Sequence, residues 1–261
     1  WRFHPEWLLN VGLRNDRHSD YSAITSPRAA LVWQATPRLS LRAIAGSAYR
    51  VPNAYERFYN DGDVTQSANP DIRPEHIRSV ELAAAYRFGQ NGRIGISAYS
   101  NRMRDLIDQT TDSSGVATYT NHEQVRSRGV EFSAENVWQR GYRLRGSGAW
   151  QQSRLEDGSA LVDSPRMMGK LIFSAPIIYG WQMSGEVLGL SSRQGVNGPV
   201  PGYGIVNLSL LSSPVSRMGQ LRLTIRNVGD RRFFDPAAST LIQRAIEQEG
   251  RQVFLRWTLS I

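Results

Sequence analysis

Arginine and aromatic side chains stand together repeatedly in the polar stretches of this 261-residue chain. One group is Arg50, Tyr55, Arg57, Phe58 and Tyr59, and another is Arg231, Arg232, Phe233 and Phe234. Arg102, Arg104, Tyr119, Arg154 and Arg193 occupy similar surroundings. A guanidinium pairs bidentately with carboxylate, catecholate or hydroxamate oxygens, and an aromatic ring covers a flat apolar group. Arg50, Tyr55, Arg57, Tyr59, Arg231, Arg232, Phe233 and Phe234 are therefore the candidate ligand contacts.

Other chemistries find less support. Cysteine is absent, which excludes disulfides, Cys-ligated zinc and cysteine nucleophiles. His4, His18, His76 and His122 are isolated from one another, without HExxH or HxH spacing. Asp61-Gly62-Asp63 after Asn60 offers calcium-type oxygens, but the rest of an EF-hand loop is missing and a solvated turn is the better reading. No serine lies in a Gly-x-Ser-x-Gly elbow. The expectation is no catalytic residue, no metal ligand and no cofactor. The net charge of +8 is carried almost wholly by arginine, since Lys170 is the only lysine. That charge is spread rather than clustered, which argues against nucleic acid as a partner.

The elements that must position these residues read as strands. Period-2 alternation dominates and helical periodicity is nearly absent. Leu221, Leu223 and Ile225 alternate with Arg222, Thr224 and Arg226. In the last nine residues Val253, Leu255, Trp257, Leu259 and Ile261 alternate with Phe254, Arg256, Thr258 and Ser260. Twelve such segments are expected, near 6–14, 26–36, 39–50, 77–88, 93–103, 117–138, 142–152, 166–175, 181–192, 203–213, 220–228 and 251–261.

Short connections at 37–38, 89–92, 139–141, 176–180 and 214–219 alternate with long ones at 15–25, 51–76, 104–116, 153–165, 193–202 and 229–250. All short turns then lie at one end of the sheet and all long loops at the other. Outer-membrane barrels follow this rule, with short periplasmic turns and long extracellular loops. A tilted membrane strand needs about 9–11 residues, which these segments supply. Trp33, Tyr49, Tyr86, Phe88, Trp150, Trp181, Tyr203 and Trp257 cluster near segment ends, as interfacial girdles do. Arg42, Arg87, Arg143, Arg145, Arg222, Arg226 and Arg256 sit in mid-strand, where a wet lumen solvates them and a dry core would not. The fold class is all-β, an antiparallel transmembrane β-barrel.

Several ordered motifs resemble the TonB-dependent outer-membrane receptors, of siderophore-receptor type. Tyr49-Arg50-Val51-Pro52 precedes Asn69-Pro70-Asp71-Ile72-Arg73-Pro74-Glu75 and then Glu81-Leu82 across one large loop. Ser26-Pro27-Arg28, Asn121, Ser127-Arg128-Gly129-Val130-Glu131, Ser164-Pro165-Arg166, Pro201-Gly202-Tyr203, Asn227-Val228-Gly229-Asp230 and Gly250-Arg251 follow the same order. The resemblance implies about twelve strands forming the C-terminal part of a 22-stranded barrel with a plugged lumen. It implies one partial barrel domain over 1–261, with the plug, the TonB box and any signal peptide outside this chain.

The opening Trp1-Arg2-Phe3-His4-Pro5-Glu6-Trp7 agrees, having neither an initiator Met nor an apolar leader. An open half-barrel exposes unpaired strand edges, so membership in a longer protein is expected over closure as a twelve-stranded barrel. The final Ile261 departs from the aromatic that usually ends such barrels.

The function this implies is TonB-energised uptake of a ferric siderophore or similar scarce nutrient across the outer membrane. Heme is disfavoured, because no histidine lies between Pro52 and Asn69. Expected partners are the nutrient chelate, TonB through the missing N-terminal region, outer-membrane lipid and lipopolysaccharide. A passive porin-like channel is the alternative, and an outer-membrane hydrolase a more distant one.

Overall fold

Alternating residues become extended strands because each second side chain meets a like neighbour on the adjoining strand. In chain order the strands are β1 (Trp7–Asp16), β2 (Ile24–Gln34), β3 (Leu39–Arg50), β4 (Gln66–Ser67), β5 (Glu75–Phe88), β6 (Gly92–Thr111) and β7 (Ala117–Val137). There follow β8 (Arg143–Leu155), β9 (Met167–Pro176), β10 (Gln182–Leu190), β11 (Arg193–Gly195), β12 (Gly198–Val200) and β13 (Tyr203–Leu211). The last are β14 (Gln220–Arg226), β15 (Phe234–Pro236), β16 (Ala245–Glu247) and β17 (Gln252–Thr258). One short helix, α1 (Ala54–Phe58), lies between β3 and β4. The structure is a computed structural model that describes residues 1–213, 219–238 and 241–259, with only the backbone of Glu123.

The sheet path is β1-β2-β3-β5-β6-β7-β8-β9-β10-β13-β14-β17, so each long strand lies beside its neighbour in sequence. This is the antiparallel meander expected, with β1 and β17 at its two ends. Two small hairpins, β11–β12 and β15–β16, sit within long connections, and β4 pairs parallel with the start of β7. Residues 214–218 of the expected short connection at 214–219, and the chain end at Ser260 and Ile261, lie outside the described residues.

The expected long loop at 104–116 is replaced by strand. β6 and β7 run for 20 and 21 residues and leave only 112–116 as a turn. Both exceed the roughly 9–11 residues that cross a bilayer, so they project as an arm on the long-loop side. The projecting part has polar residues on both faces, so no apolar alternation marks it as strand.

The chain divides into two units. The first comprises residues 1–83, 98–128 and 152–161, and the second 84–97, 129–151 and 162–261. In the second unit Leu221, Leu223 and Ile225 stand opposite Trp257, Leu255 and Val253 on one face of the sheet. The other face carries Lys170–Glu186 at 2.7 Å, Arg145–Glu135 at 3.0 Å, and Arg226 5.0 Å above the Phe254 ring. In the first unit Val11, Leu13, Val80 and Leu82 are exposed on the apolar face, while Arg42 meets Glu81 at 3.4 Å on the polar one.

A water-soluble chain of this length would enclose a large apolar core. Among the described residues only Ile72, Val125, Ala175, Val200 and Ala237 are buried apolar side chains, whereas several tens of large ones are exposed. Each such side chain gains about 1.5–3 kcal/mol on leaving water, and lipid is what removes them from it.

Pro201-Gly202-Tyr203 owes its glycine to a crowded corner. A Cβ on Gly202 would lie 2.5 Å from the Leu190 carbonyl oxygen and 2.7 Å from the Ser191 carbonyl carbon. Backbone cannot retreat as a side-chain tip can.

Candidate functional site

In the first unit, α1 is held by a capping box. The Asn53 side chain accepts from the Glu56 N–H at 2.9 Å, and the Glu56 carboxylate accepts from the Asn53 N–H at 2.8 Å. Arg50, the last residue of β3, reaches both acids that flank the loop. Its Nε and Nη2 donate to Glu75 at 2.7 and 3.0 Å, and its Nη1 donates to both Glu56 oxygens at 3.0 Å. Glu75 also accepts the Ile107 N–H at 2.8 Å. Arg50 therefore braces β3, α1 and β5.

Arg57 is similarly engaged. Its Nη1 donates to Asp20 at 2.8 Å, and its guanidinium lies 4.5 Å from the Phe58 ring and 5.1 Å from the Tyr21 ring. Only 14% of its side chain is exposed.

The aromatic members face outward instead. Tyr55 and Tyr59 stack with centroids 4.5 Å apart and planes 22° apart, and the Tyr119 ring meets Tyr55 edge-on at 6.2 Å. Tyr55 donates its hydroxyl to Gln66 Oε1 at 3.1 Å. Tyr55, Phe58 and Tyr59 remain 50%, 56% and 43% exposed, leaving ring surface for a flat ligand.

The segment that follows docks on the projecting arm. Asn69 donates to the Tyr119 carbonyl at 2.8 Å, Arg73 N–H to Asn121 Oδ1 at 2.8 Å, and Arg73 pairs with Asp105 at 2.7 Å. Ile72 is fully buried beneath it. The Asn-Pro-Asp-Ile-Arg-Pro-Glu motif thus anchors the loop.

The Asp61 carboxylate is taken up by its own turn. It accepts from the Thr65 hydroxyl and from the N–H groups of Val64, Thr65 and Gln66, which hold its acidity well below the usual carboxylate range. Among the described residues, no three His, Cys, Asp or Glu side chains gather in a metal-binding group.

In the second unit, Arg231 and Arg232 are exposed. Arg232 lies 3.6 Å from Glu247 with 84% of its side chain in solvent. Phe233 packs on Tyr203 with centroids 4.4 Å apart, and Phe234 opens β15 opposite Glu247. The Asn227 side chain accepts the Arg231 N–H and donates to its carbonyl, both at 2.9 Å, which explains the Asn-Val-Gly-Asp turn.

Arg193 is a structural centre. Its buried guanidinium lies 2.7 Å from Asp163 and pairs with Asp235, tying three connections together. Those acids are distant in sequence and carry no signal of the pairing.

The eight candidates fall into two groups. Arg50, Tyr55, Arg57 and Tyr59 form one cluster in the first unit, and Arg231, Arg232, Phe233 and Phe234 share a connection in the second. Arg102, Arg104 and Arg154 lie on β6 and β8 rather than in loops, because those strands run longer than their apolar alternation.

Residues 1–228 match the family described as TonB dependent receptor-like, beta-barrel. The metal-pseudopaline receptor of Pseudomonas aeruginosa is 25% identical over 268 aligned residues, covering 89% of this chain and 36% of that one. The vitamin B12 transporter of Vibrio cholerae is 28% identical over 130 residues, or 50% of this chain and 20% of the transporter. Among solved structures, the ferric enterobactin receptor of Pseudomonas aeruginosa superposes with a TM-score of 0.80 at 17% identity. That superposition covers 97% of this chain and 43% of the receptor, and at such identity it speaks to the fold. The chain thus spans about a fifth to a third of the length of these curated relatives. Its antiparallel sheet, its lipid-exposed apolar face and the family match over most of its length give one conclusion: the chain belongs to the β-barrel of the TonB-dependent receptors of the outer membrane.

Proposed function

We propose that the chain is part of an outer-membrane receptor for TonB-energised uptake of a ferric siderophore or a similar nutrient chelate. In this reading 1–261 is one portion of a larger barrel, and the plug and the TonB contact belong to other parts of the protein. The observation that carries it is the exposed Tyr55–Tyr59 stack beside Phe58, at the long-loop end of the sheet. Stacked rings take the flat groups of a chelate at little entropic cost. Arg50 and Arg57 hold that ledge in place from behind, while Arg231 stays exposed to anionic oxygens. The names of the relatives, which handle vitamin B12, metal-pseudopaline and ferric enterobactin, agree with uptake of scarce nutrients.

The test is uptake of radiolabelled iron chelates by cells carrying the full-length receptor, with and without functional TonB. TonB-dependent uptake that falls on changing Tyr55 and Tyr59 to alanine is expected. Conductance without energy coupling, together with no TonB-dependent uptake of any chelate, would assign a passive channel instead.

A further inference from the structure

Three long connections of the second unit meet through one cation. Arg193 opens β11, and only 4% of its side chain is exposed. Its Nε lies 2.7 Å from Asp163, in the connection between β8 and β9, and its Nη2 donates to Asp235 in β15. Nε and Nη2 share one edge of the guanidinium, so the two carboxylates stand side by side. Nη1 is buried without a hydrogen-bond partner among the described residues, which leaves the two acids to compensate the buried charge.

Backbone bonds and packing join the same three segments. Asp163 N–H donates to the Gln194 carbonyl at 2.8 Å, and Asn197 Nδ2 donates to the Leu241 and Gln243 carbonyls at 3.3 Å each. Val200 and Ala237 are buried, and a Cβ on Gly195 would lie 3.3 Å from Pro236 Cβ. Asp235 follows Phe233 and Phe234 directly in the chain. Upstream of them, Arg231 is fixed through its backbone by Asn227, itself only 2% exposed. The segment 231–235 is therefore pinned by its own connection at one end and by Arg193 at the other.

We propose that Arg193 is a positioning residue for the ligand contacts of the last long connection, a role that rests on the uptake reading above. By holding Asp235 beside Asp163, it fixes where Arg231, Phe233 and Phe234 are presented. Its own buried side chain does not touch the chelate. Like charges repel, so loss of the guanidinium makes its two carboxylate partners push the connections apart. Arg231 then loses its fixed place.

The test uses the full-length receptor, wild type and substituted, in two measurements. The first times trypsin cleavage after Arg231 and Arg232 without chelate. R193Q should speed it at least about tenfold, and R193Q/D163N should slow it again because the repulsion is gone. General damage to the receptor would not be relieved by a second substitution. The second measurement is equilibrium binding of a ferric catecholate chelate at low salt. R193Q should weaken it about tenfold, and R231A should add almost nothing in that background although it weakens the wild type. Wild-type cleavage in R193Q, no rescue by D163N, or full additivity with R231A would each overturn the proposal. A wild-type receptor that binds neither catecholate nor hydroxamate chelates would fail the uptake reading, while the cleavage rates still decide whether Arg193 positions the segment. Should R193Q fail to fold, D235N decides: it cuts the link while Asp163 still compensates the cation. Faster cleavage in D235N supports the proposal, and an unchanged rate would overturn it.

Discussion

Arg50 and Glu75 join the end of β3 to the start of β5 through two parallel contacts, Nε to Oε2 at 2.7 Å and Nη2 to Oε1 at 3.0 Å. The same guanidinium reaches Glu56 in α1, and the Glu56 and Glu75 side chains are only 12% and 18% exposed. Removing the cation strands two poorly solvated carboxylates, at a cost of about 1–2 kcal/mol. Arg50→Ala should therefore loosen residues 51–74 and speed limited proteolysis there. Arg50→Lys should rescue only in part, since an ammonium cannot form the paired contact. Unchanged proteolysis with a selective loss of ligand affinity would instead make Arg50 a direct ligand contact.

The two faces of β14 provide the second prediction. Leu223 stands opposite Leu255 on the apolar face, and its neighbour Thr224 stands opposite Phe254 on the polar one. Arginine on the lipid side near the midplane costs about 2–4 kcal/mol, and far less toward a wet interior. Leu223→Arg should lower the stability of the folded receptor in lipid by that amount, and Thr224→Arg should barely change it. Equal penalties in reversible unfolding would sink the assignment of faces.

Strand identity was legible because alternation is a local signal, repeated over many residues. Residues 104–111 carry no strand signal in the sequence because polar side chains occupy both faces of β6 there. The α1 helix is silent in the sequence pattern although Asn53 and Glu56 have the spacing of a capping box; five residues are too few to show a period. Within the site, residue types alone could not separate a brace from a ligand contact. Arg50 and Arg57 look as available as Arg231 until Glu56, Glu75 and Asp20 are found beside them. Arg193 illustrates the same limit, since Asp163 and Asp235 reach it only through folding.

Asp61 supplies a prediction with a definite sign. The Thr65 hydroxyl, the Thr65 and Gln66 amides and the Val64 amide stabilise its ionised form, so its folded acidity lies below the unfolded value. A lowered carboxylate contributes stability that is fully present above the unfolded pKa and lost only as pH falls through the folded one. The turn at 60–66 should therefore persist through the ordinary aspartate range near 3.9 and give way below it. The Asp61 carboxyl carbon resonance should titrate below that range, and Asp61→Ala should speed amide exchange at Val64, Thr65 and Gln66 near neutral pH. A midpoint at the ordinary value would remove the turn's electrostatic basis.

The last prediction separates the aromatic ledge from the exposed arginines. Tyr55 and Tyr59 offer stacked ring faces, and the cations nearest them in sequence, Arg50 and Arg57, are committed to Glu75, Glu56 and Asp20. Binding at this ledge should thus depend on dispersion and apolar contact, which salt does not screen. Changing Tyr59 to alanine should weaken chelate binding by about three- to tenfold, the range that one aromatic contact supplies. The size of that loss should be the same at low and high ionic strength. Arg231 and Arg232 are exposed, so Arg231→Ala should weaken an anionic chelate mainly at low salt. The measurement is equilibrium binding of ferric catecholate and hydroxamate chelates to the full-length receptor at two salt concentrations. A Tyr59→Ala loss that vanishes at high salt would assign the ledge an electrostatic role and contradict the reading of Arg50 and Arg57 as braces.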